Sequence, residues 1–156
     1  MSYDLHFCWR SEKAFDRSRL IDFFAEVPCF VARGTPGKES QVWYENQATG
    51  VYFSLEHEDP PADPELPLVL PSEYYDTGIS FNLNYNRASF FAHEAMPWVE
   101  TLAGELDLWI VDPQDDWDAQ PSRPKRYTAV ELIASWEKHN AWAVEALYNS
   151  PDEELR

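Results

Sequence analysis

Polar side chains that could bind a ligand recur on one side of three predicted strands. Residues alternate strictly between apolar and polar in the segment 3–9, and the strands predicted at 51–56 and 77–86 also alternate, which places the polar set on a single face of a sheet. Asparagine is depleted from strands, so its repetition in the third segment is unusual. The polar set is His6, Cys8, Tyr52, Ser54, Glu56, Ser80, Asn82 and Asn84. A small-ligand pocket would use His6, Tyr52, Asn82 and Asn84, although such a face also occurs simply because it is solvated.

Carboxylates form the second group of candidate residues. The chain has 12 basic and 28 acidic residues, a net charge of −16, and the stretch from Glu39 to Ser122 holds 17 acidic residues against a single arginine. This field repels phosphate backbones and anionic membranes, and it attracts a basic partner in a salt-sensitive manner. Solubility alone would also account for it. The predicted partner-binding residues are Glu56, Glu58, Asp59, Asp112, Asp115, Asp116, Trp117 and Asp118.

No catalytic or metal-binding motif accompanies these residues. The sequence has no GxSxG, no GxGxxG and no P-loop, and its four histidines lack the spacing of metal ligands. The loop that starts at Asp112 fails the EF-hand pattern, because its sixth position is Trp117 instead of glycine. We therefore predict no catalytic residue, no metal and no cofactor.

Cysteine usage and hydropathy indicate a cytoplasmic protein. Cys8 and Cys29 form no CxxC pair and read as small buried hydrophobes in a reducing compartment. No run of 18 apolar residues could span a membrane, and the first residues lack the basic flank and apolar core of a secretory signal.

The order of predicted elements gives the fold class. Strands are predicted at 3–9, 29–33, 41–45, 51–56, 77–86 and 106–111, and helices at 18–25, 89–102 and 128–149. Two loops separate some of them: 57–73, which is acidic, and 112–125, which is acidic and then basic. Successive strands with helices at three points predict a single α+β domain over 1–156. It would contain a mostly antiparallel sheet of about five to six strands with helices packed on one face.

Individual residues refine this prediction. Thr128 and Glu131 form a capping box for the last helix, whose apolar stripe is interrupted by Asn140. Gly104 is expected to stop the second helix, in which Pro97 should cause a kink or a restart. The strand 106–111 is apolar on both faces, so we expect it to be central.

The seven tryptophans are assigned mostly to the core by this pattern. Trp117, in a polar loop, and Trp142, off the helix stripe, are the exceptions and are candidate anchors for a partner. Packing against a neighbouring loop is the alternative for both.

Three segments resemble parts of small bacterial proteins. They are YENQATGVYFS at 44–54, SFNLNY at 80–85 and LDLWIVDPQ at 106–114. In its general character the chain is similar to the immunity proteins of bacterial toxin systems, which are acidic, cytoplasmic, single-domain and poor in motifs. The resemblance implies a protein that works by binding another protein, and it carries over no catalytic residue.

The leading hypothesis is therefore a non-enzymatic, acidic protein-binding module of the immunity type that neutralises a basic toxin. The alternative is a small-ligand-binding protein or an enzyme that uses the polar face, which would require a concave pocket. A third possibility is a structural subunit that forms oligomers.

Overall fold

The computed structural model describes residues 2–16, 18–35, 39–58, 68–115 and 121–149. The strands in these ranges are β1 (Ser2–Trp9), β2 (Phe30–Thr35), β3 (Glu39–Asn46), β4 (Val51–His57), β5 (Tyr75–Asn84) and β6 (Trp109–Val111). The helices are α1 (Ser18–Phe24), α2 (Phe90–Glu105) and α3 (Ala129–Tyr148). Among the residues that the structure describes, no helix combines the length and the hydropathy of a membrane span.

All six strands join one antiparallel sheet in the order β2-β3-β4-β5-β1-β6. The predicted α+β class, with helices on one face of an antiparallel sheet, is confirmed. The hairpin of β3 and β4 closes through a left-handed Gly50 (φ 75°), whose N–H donates to the carbonyl of Asn46 at 2.7 Å.

The core lies between one sheet face and the helices. Leu5, Phe81, Leu55 and Val42 form one cross-strand row, and all of them are buried. Trp136 of α3 is fully buried against this face and is the largest side chain in the core. Burial of such rows fixes the register, because a shift by one residue would turn every apolar side chain outward.

The start of α3 is capped as predicted. The backbone N–H of Thr128 donates to Glu131 Oε2 at 2.8 Å, and the N–H of Glu131 donates to Thr128 Oγ1 at 3.3 Å, which is a reciprocal capping box. Asn140, the polar residue in the apolar stripe, donates to the carbonyls of Tyr85 and Arg87. It therefore satisfies the backbone of the turn that follows β5.

The end of α2 differs from the prediction. The helix continues through Pro97 without a restart, and Gly104 lies inside its last turn. The left-handed position belongs to Asp107 (φ 56°). The N–H of Leu108 reaches the carbonyl of Ala103 at 2.8 Å, so the helix ends in a Schellman motif that buries Leu108.

The strand predicted to be central is an edge strand. β6 has only three residues, and it pairs with β1 on one side. On its other side, Ile110 and Lys125 exchange two backbone hydrogen bonds of 2.9 Å each. Ile110 and Val111 lie on opposite faces of β6, and both are buried. The apolar sequence of β6 reflects this burial, which occurs because loops cover the edge of the sheet.

Replacing Cys29 with glycine should stabilise the protein by about 0.5–1 kcal/mol, because Cys29 is exposed and holds a left-handed backbone (φ 71°) that only glycine adopts without strain. The midpoint of urea unfolding measures this. Cys29→Ala is the matched control and should show no gain, since alanine keeps the strained Cβ. Equal stabilisation by both variants would contradict the explanation.

Candidate functional site

The sheet surface opposite the helices, called the second face below, carries most of the candidate residues. Strand alternation places polar side chains there, and most of them are half-buried, as expected for neighbours on an open sheet. Within the described ranges no helix packs on this surface. Its residues on β1, β3, β4 and β5 include Asp4, His6, Gln41, Trp43, Glu45, Ser54, Glu56, Asp76, Ser80, Asn82 and Asn84. On β2 the register adds Val31 and Arg33, opposite Trp43 and Gln41.

The carboxylates of the second face lie on strands that carry no basic residue. Asp4, Glu45, Glu56 and Asp76 lie on four adjoining strands, and the exposed Glu58 directly follows β4. None of these four strands contains a lysine or an arginine. The fields of the carboxylates on these four strands therefore add. The edge strand β2 differs, because Arg33 lies opposite Gln41 in its register with β3.

Amide side chains orient two of these carboxylates. Asn82 Nδ2 donates to Asp4 Oδ1 at 2.6 Å, and Gln41 Nε2 donates to Glu56 Oε1 at 2.5 Å. Each pair joins residues on adjacent strands. The amides hold the carboxylates of Asp4 and Glu56 in place without neutralising their charge. This role explains why Asn82 lies on β5.

An apolar spot interrupts the acidic surface. Trp43 is half-buried and lies opposite Val31 in the register of β2 and β3, and Val31 is 53% exposed. Sequence reasoning assigned Trp43 to the core, which is wrong, because the alternation with buried Val42 and Tyr44 places it on the second face. The period of two contained this signal, but the apolar character of tryptophan concealed it.

One end of the second face is covered. Cys8, Tyr74 and Val111 form a small buried cluster beneath Leu68, Leu70 and Trp109. The guanidinium of Arg10 stacks on Trp109 at 4.5 Å from the ring centroid. Burial, with a further contribution from Asp76, raises the pKa of the Cys8 thiol to about 12, so it stays protonated at neutral pH and is a poor nucleophile or metal ligand.

Asp112 does not belong to the accessible surface. Its exposure is 0%, and its Oδ2 accepts hydrogen bonds from the hydroxyls of Tyr3 and Ser135, the latter at 2.9 Å. Its Oδ1 accepts the N–H groups of Gln114 at 3.0 Å and Asp115 at 3.4 Å. The sequence placed Asp112 in a solvated acidic loop, whereas the structure makes it a buried junction of β1, the loop after β6 and α3.

The other predicted partner-binding residues fall into two groups. Glu56 is half-buried, and Glu58 and Asp115 are exposed, so all three are accessible. Asp59, Asp116, Trp117 and Asp118 lie outside the described residues. Trp142, the other candidate anchor, is 63% exposed on α3 and lies on a helix, away from the second face.

The four residues of the predicted ligand pocket have separate partners. The hydroxyl of Tyr52 accepts a hydrogen bond from Arg87, and its ring packs edge-on against Phe91 of α2. Asn82 bonds Asp4, and Asn84 Oδ1 accepts the N–H of Asn86 at 2.7 Å. His6 lies between Ser80 and Val111 in the register. No hydrogen bond among the described residues joins two of the four.

The described residues contain no cluster of His, Cys, Asp or Glu side chains that could hold a metal ion. No protein-family model, curated protein or solved structure matches this chain. The resemblance to immunity proteins therefore stays a prediction.

Proposed function

We propose that this protein binds a basic protein through its second face and acts by occupying that partner's cationic surface. The proposal is supported by the carboxylates Asp4, Glu45, Glu56 and Asp76, which lie on four adjoining strands that contain no lysine or arginine. Glu58, directly after β4, adds a fifth carboxylate. A rigid sheet presents these charges at fixed spacing. Such a field accelerates encounter with a basic surface and disfavours acidic competitors.

The apolar spot of Trp43 and Val31 supplies the anchor that charge alone lacks. Interfaces gain most of their affinity from a few buried aromatic or apolar contacts, while the charged rim contributes mainly to rate and selectivity. Here Glu45 follows Trp43 by two residues on the same face, and Glu56 lies on the adjacent strand. An apolar centre with carboxylates on its β3 and β4 side fits a partner that has the complementary arrangement.

Within this class, an immunity protein for a basic toxin such as a nuclease is the specific role that we propose. The cleft of a nuclease attracts a polyanion, and fixed carboxylates can occupy it in place of phosphates. The similarity in general character to immunity proteins supports the same assignment. A protein of this kind needs no catalytic residue of its own.

Capture of partners from a native lysate at low and high salt tests the proposal. We expect the captured partners to be basic proteins that are released at about 0.5 M salt, because surface charges are then screened within a few ångströms. A captured protein is then purified and its affinity measured. The variant E45Q/E56Q/E58Q should bind it about tenfold more weakly or worse, because three rim charges are lost.

The matched control is E105Q/E137Q/E145Q, which changes the net charge equally at exposed positions on α2 and α3. It should leave the affinity nearly unchanged. If both triple variants weaken binding to the same degree, the attraction is a property of net charge and the second face has no special role. Failure to capture any basic protein at low salt would also contradict the proposal.

A further inference from the structure

Half of the large apolar side chains that are exposed in the described residues lie on α3. They are Val130, Trp142, Val144 and Tyr148, whereas the other four, Val31, Val69, Tyr75 and Phe90, lie on separate elements. Val144 is 51% exposed and Tyr148 is 79% exposed. Apolar side chains that are exposed singly need no explanation, but a group of them on one element marks an interaction surface. The outer side of α3 therefore has the character of such a surface.

The exposed residues of α3 recur at the spacing of a coiled-coil seam. Positions 130, 134, 137, 141, 144 and 148 are separated alternately by four and three residues, so they lie along one side of the helix. These positions, which we call the outer stripe, are Val130, Ala134, Glu137, Ala141, Val144 and Tyr148, and all are exposed. The polar member, Glu137, has its Oε1 at 3.4 Å from Nε2 of His93 on α2.

The outer stripe faces away from the core of its own chain. The buried residues Leu132, Trp136 and Ala143 lie on the opposite side of α3, because each is about half a turn from the stripe positions. Packing of α3 on the sheet therefore uses one side of the helix and leaves the stripe uncovered by the described residues.

The last part of α3 also extends beyond the start of α2. The two helices are antiparallel, because the N–H of Ala129 at the start of α3 donates to Glu100 of α2 at 3.0 Å, while Glu137 lies beside His93 in the first turn of α2. About three turns of α3 follow Glu137. Among the side chains described from 141 to 148, Ala143 alone is buried. This end of the helix is open to a second molecule.

A cation and an anion accompany the outer stripe on one flank. Lys138 and Glu145 follow Ala134 and Ala141 by four residues each. Both are exposed, and neither forms an ion pair with a described residue. Their separation of about 10 Å along the axis keeps them from pairing with each other. An antiparallel copy of the same helix complements both charges, because it brings its own Glu145 to Lys138 and its own Lys138 to Glu145.

We propose that two copies of this chain associate through the outer stripes of α3, which pair antiparallel about a two-fold axis near Ala141. Lys138 of each copy then pairs with Glu145 of the other, and Val144 of each packs on Ala141 of the other. A two-fold interface makes every contact twice. The small side chain of Ala141 lets the helix axes approach closely, and charged pairs on the flank set the antiparallel orientation.

The net charge of the chain does not prevent this association. The excess of acidic residues is confined to the stretch 39–122, and the second face lies on the side of the sheet opposite the helices. Two copies that join through α3 therefore direct their second faces outward, where each stays accessible. The inference goes beyond the proposed function and does not rest on it, because the partner affinity of one second face is independent of the α3 contact.

Sedimentation velocity over a range of about 10 μM to 1 mM measures the association by mass action. The overlap of residues 134–148 spans about 22 Å of each helix, so we expect a reversible dimer with an interface below the roughly 1,600 Å² of stable complexes. The average mass should rise with concentration toward that of two chains. A monomer throughout this range would overturn the inference.

Val144→Glu places a charge in the overlap and should raise the dissociation constant about tenfold or more. Val130→Glu is the matched control, because Val130 is an equally exposed valine of the same stripe that lies outside the overlap. It should leave the dissociation constant unchanged. Circular dichroism establishes that both variants are folded. An equal effect of both variants would show a general charge effect and would overturn the inference.

Charge reversal tests the antiparallel register. K138E and E145K should each weaken self-association about three- to tenfold, because two attractive pairs become repulsive. An equimolar mixture of the two variants should associate more strongly than either alone, and the double variant K138E/E145K should recover the original affinity. No preference in the mixture would overturn the register. If instead the chain is monomeric and Val144→Glu abolishes binding of a different purified protein, the stripe serves that protein and the inference is wrong.

Discussion

Replacing Asp112 with alanine should lower the free energy of unfolding by about 3 kcal/mol, the largest loss that we expect from any single polar residue. The change removes the acceptor for two hydroxyls and two backbone N–H groups. Tyr3, at 0% exposure, would keep a buried hydroxyl without a partner. Deleting one member of a satisfied buried network costs more than deleting the whole network.

Urea unfolding followed by tryptophan fluorescence measures this effect. Asp115→Ala is the control: its side chain is exposed, and its loss should change stability by less than about 0.5 kcal/mol. Asp112→Asn should fall between the two, because one oxygen remains to accept hydrogen bonds. If Asp112→Ala is as stable as Asp115→Ala, the junction does not hold β1, the loop and α3 together.

This network also shows where sequence reasoning fails. The partners Tyr3 and Ser135 lie 109 and 23 residues from Asp112 along the chain. Nothing local distinguishes Asp112 from Asp115, three residues later, which is exposed. A run of acidic residues predicts a solvated loop, and only the tertiary arrangement selects the carboxylate that becomes buried.

Local patterns, in contrast, were predictive. The alternation in β1 and β5 identified their core faces, and the Thr128–Glu131 box located the start of α3, because each depends on neighbours within a few residues. The position of β6 depended on the pairing of distant segments. Its apolar sequence reports burial on both faces, but burial by loops and burial by flanking strands give the same composition.

The candidate site was only partly predictable for the same reason. Alternation placed His6, Glu56 and Asn82 on one face, and the structure agrees. It could not show that Tyr52 turns to the Arg87 side chain and the Phe91 ring at the end of the sheet, beyond the pairing of β4 with β5. The pairing of β4 with β5 stops at Ser54 and Asn82, and the sequence of one strand alone does not show where a pairing stops.

Glu94→Gln should destabilise the protein by about 1–2 kcal/mol at neutral pH. Glu94 links α2 to the β3–β4 hairpin through hydrogen bonds. Its Oε1 accepts three of them, from Tyr44 at 2.6 Å, Asn46 at 2.7 Å and Thr49 at 3.1 Å. The glutamine retains one oxygen but loses the charge, and hydrogen bonds to a charged acceptor are the stronger ones. Glu137→Gln, at an exposed position on α3, is the control and should be nearly neutral.

The same residue predicts how stability depends on pH. Burial alone would raise the pKa of Glu94, but the hydrogen bonds from Tyr44, Asn46 and Thr49 outweigh it and lower the pKa below its usual 4.5. A carboxyl group with a lowered pKa in the folded state stabilises that state above 4.5, and the contribution is lost as the pH falls through the lowered value. The stability difference between the unaltered protein and Glu94→Gln should therefore be full at pH 7 and shrink toward about pH 3. Urea unfolding of both proteins at the two pH values measures the difference. If the difference in the free energy of unfolding stays constant, Glu94 acts through its shape alone. If the difference shrinks at low pH, the charge of Glu94 is what stabilises the contact between α2 and the hairpin.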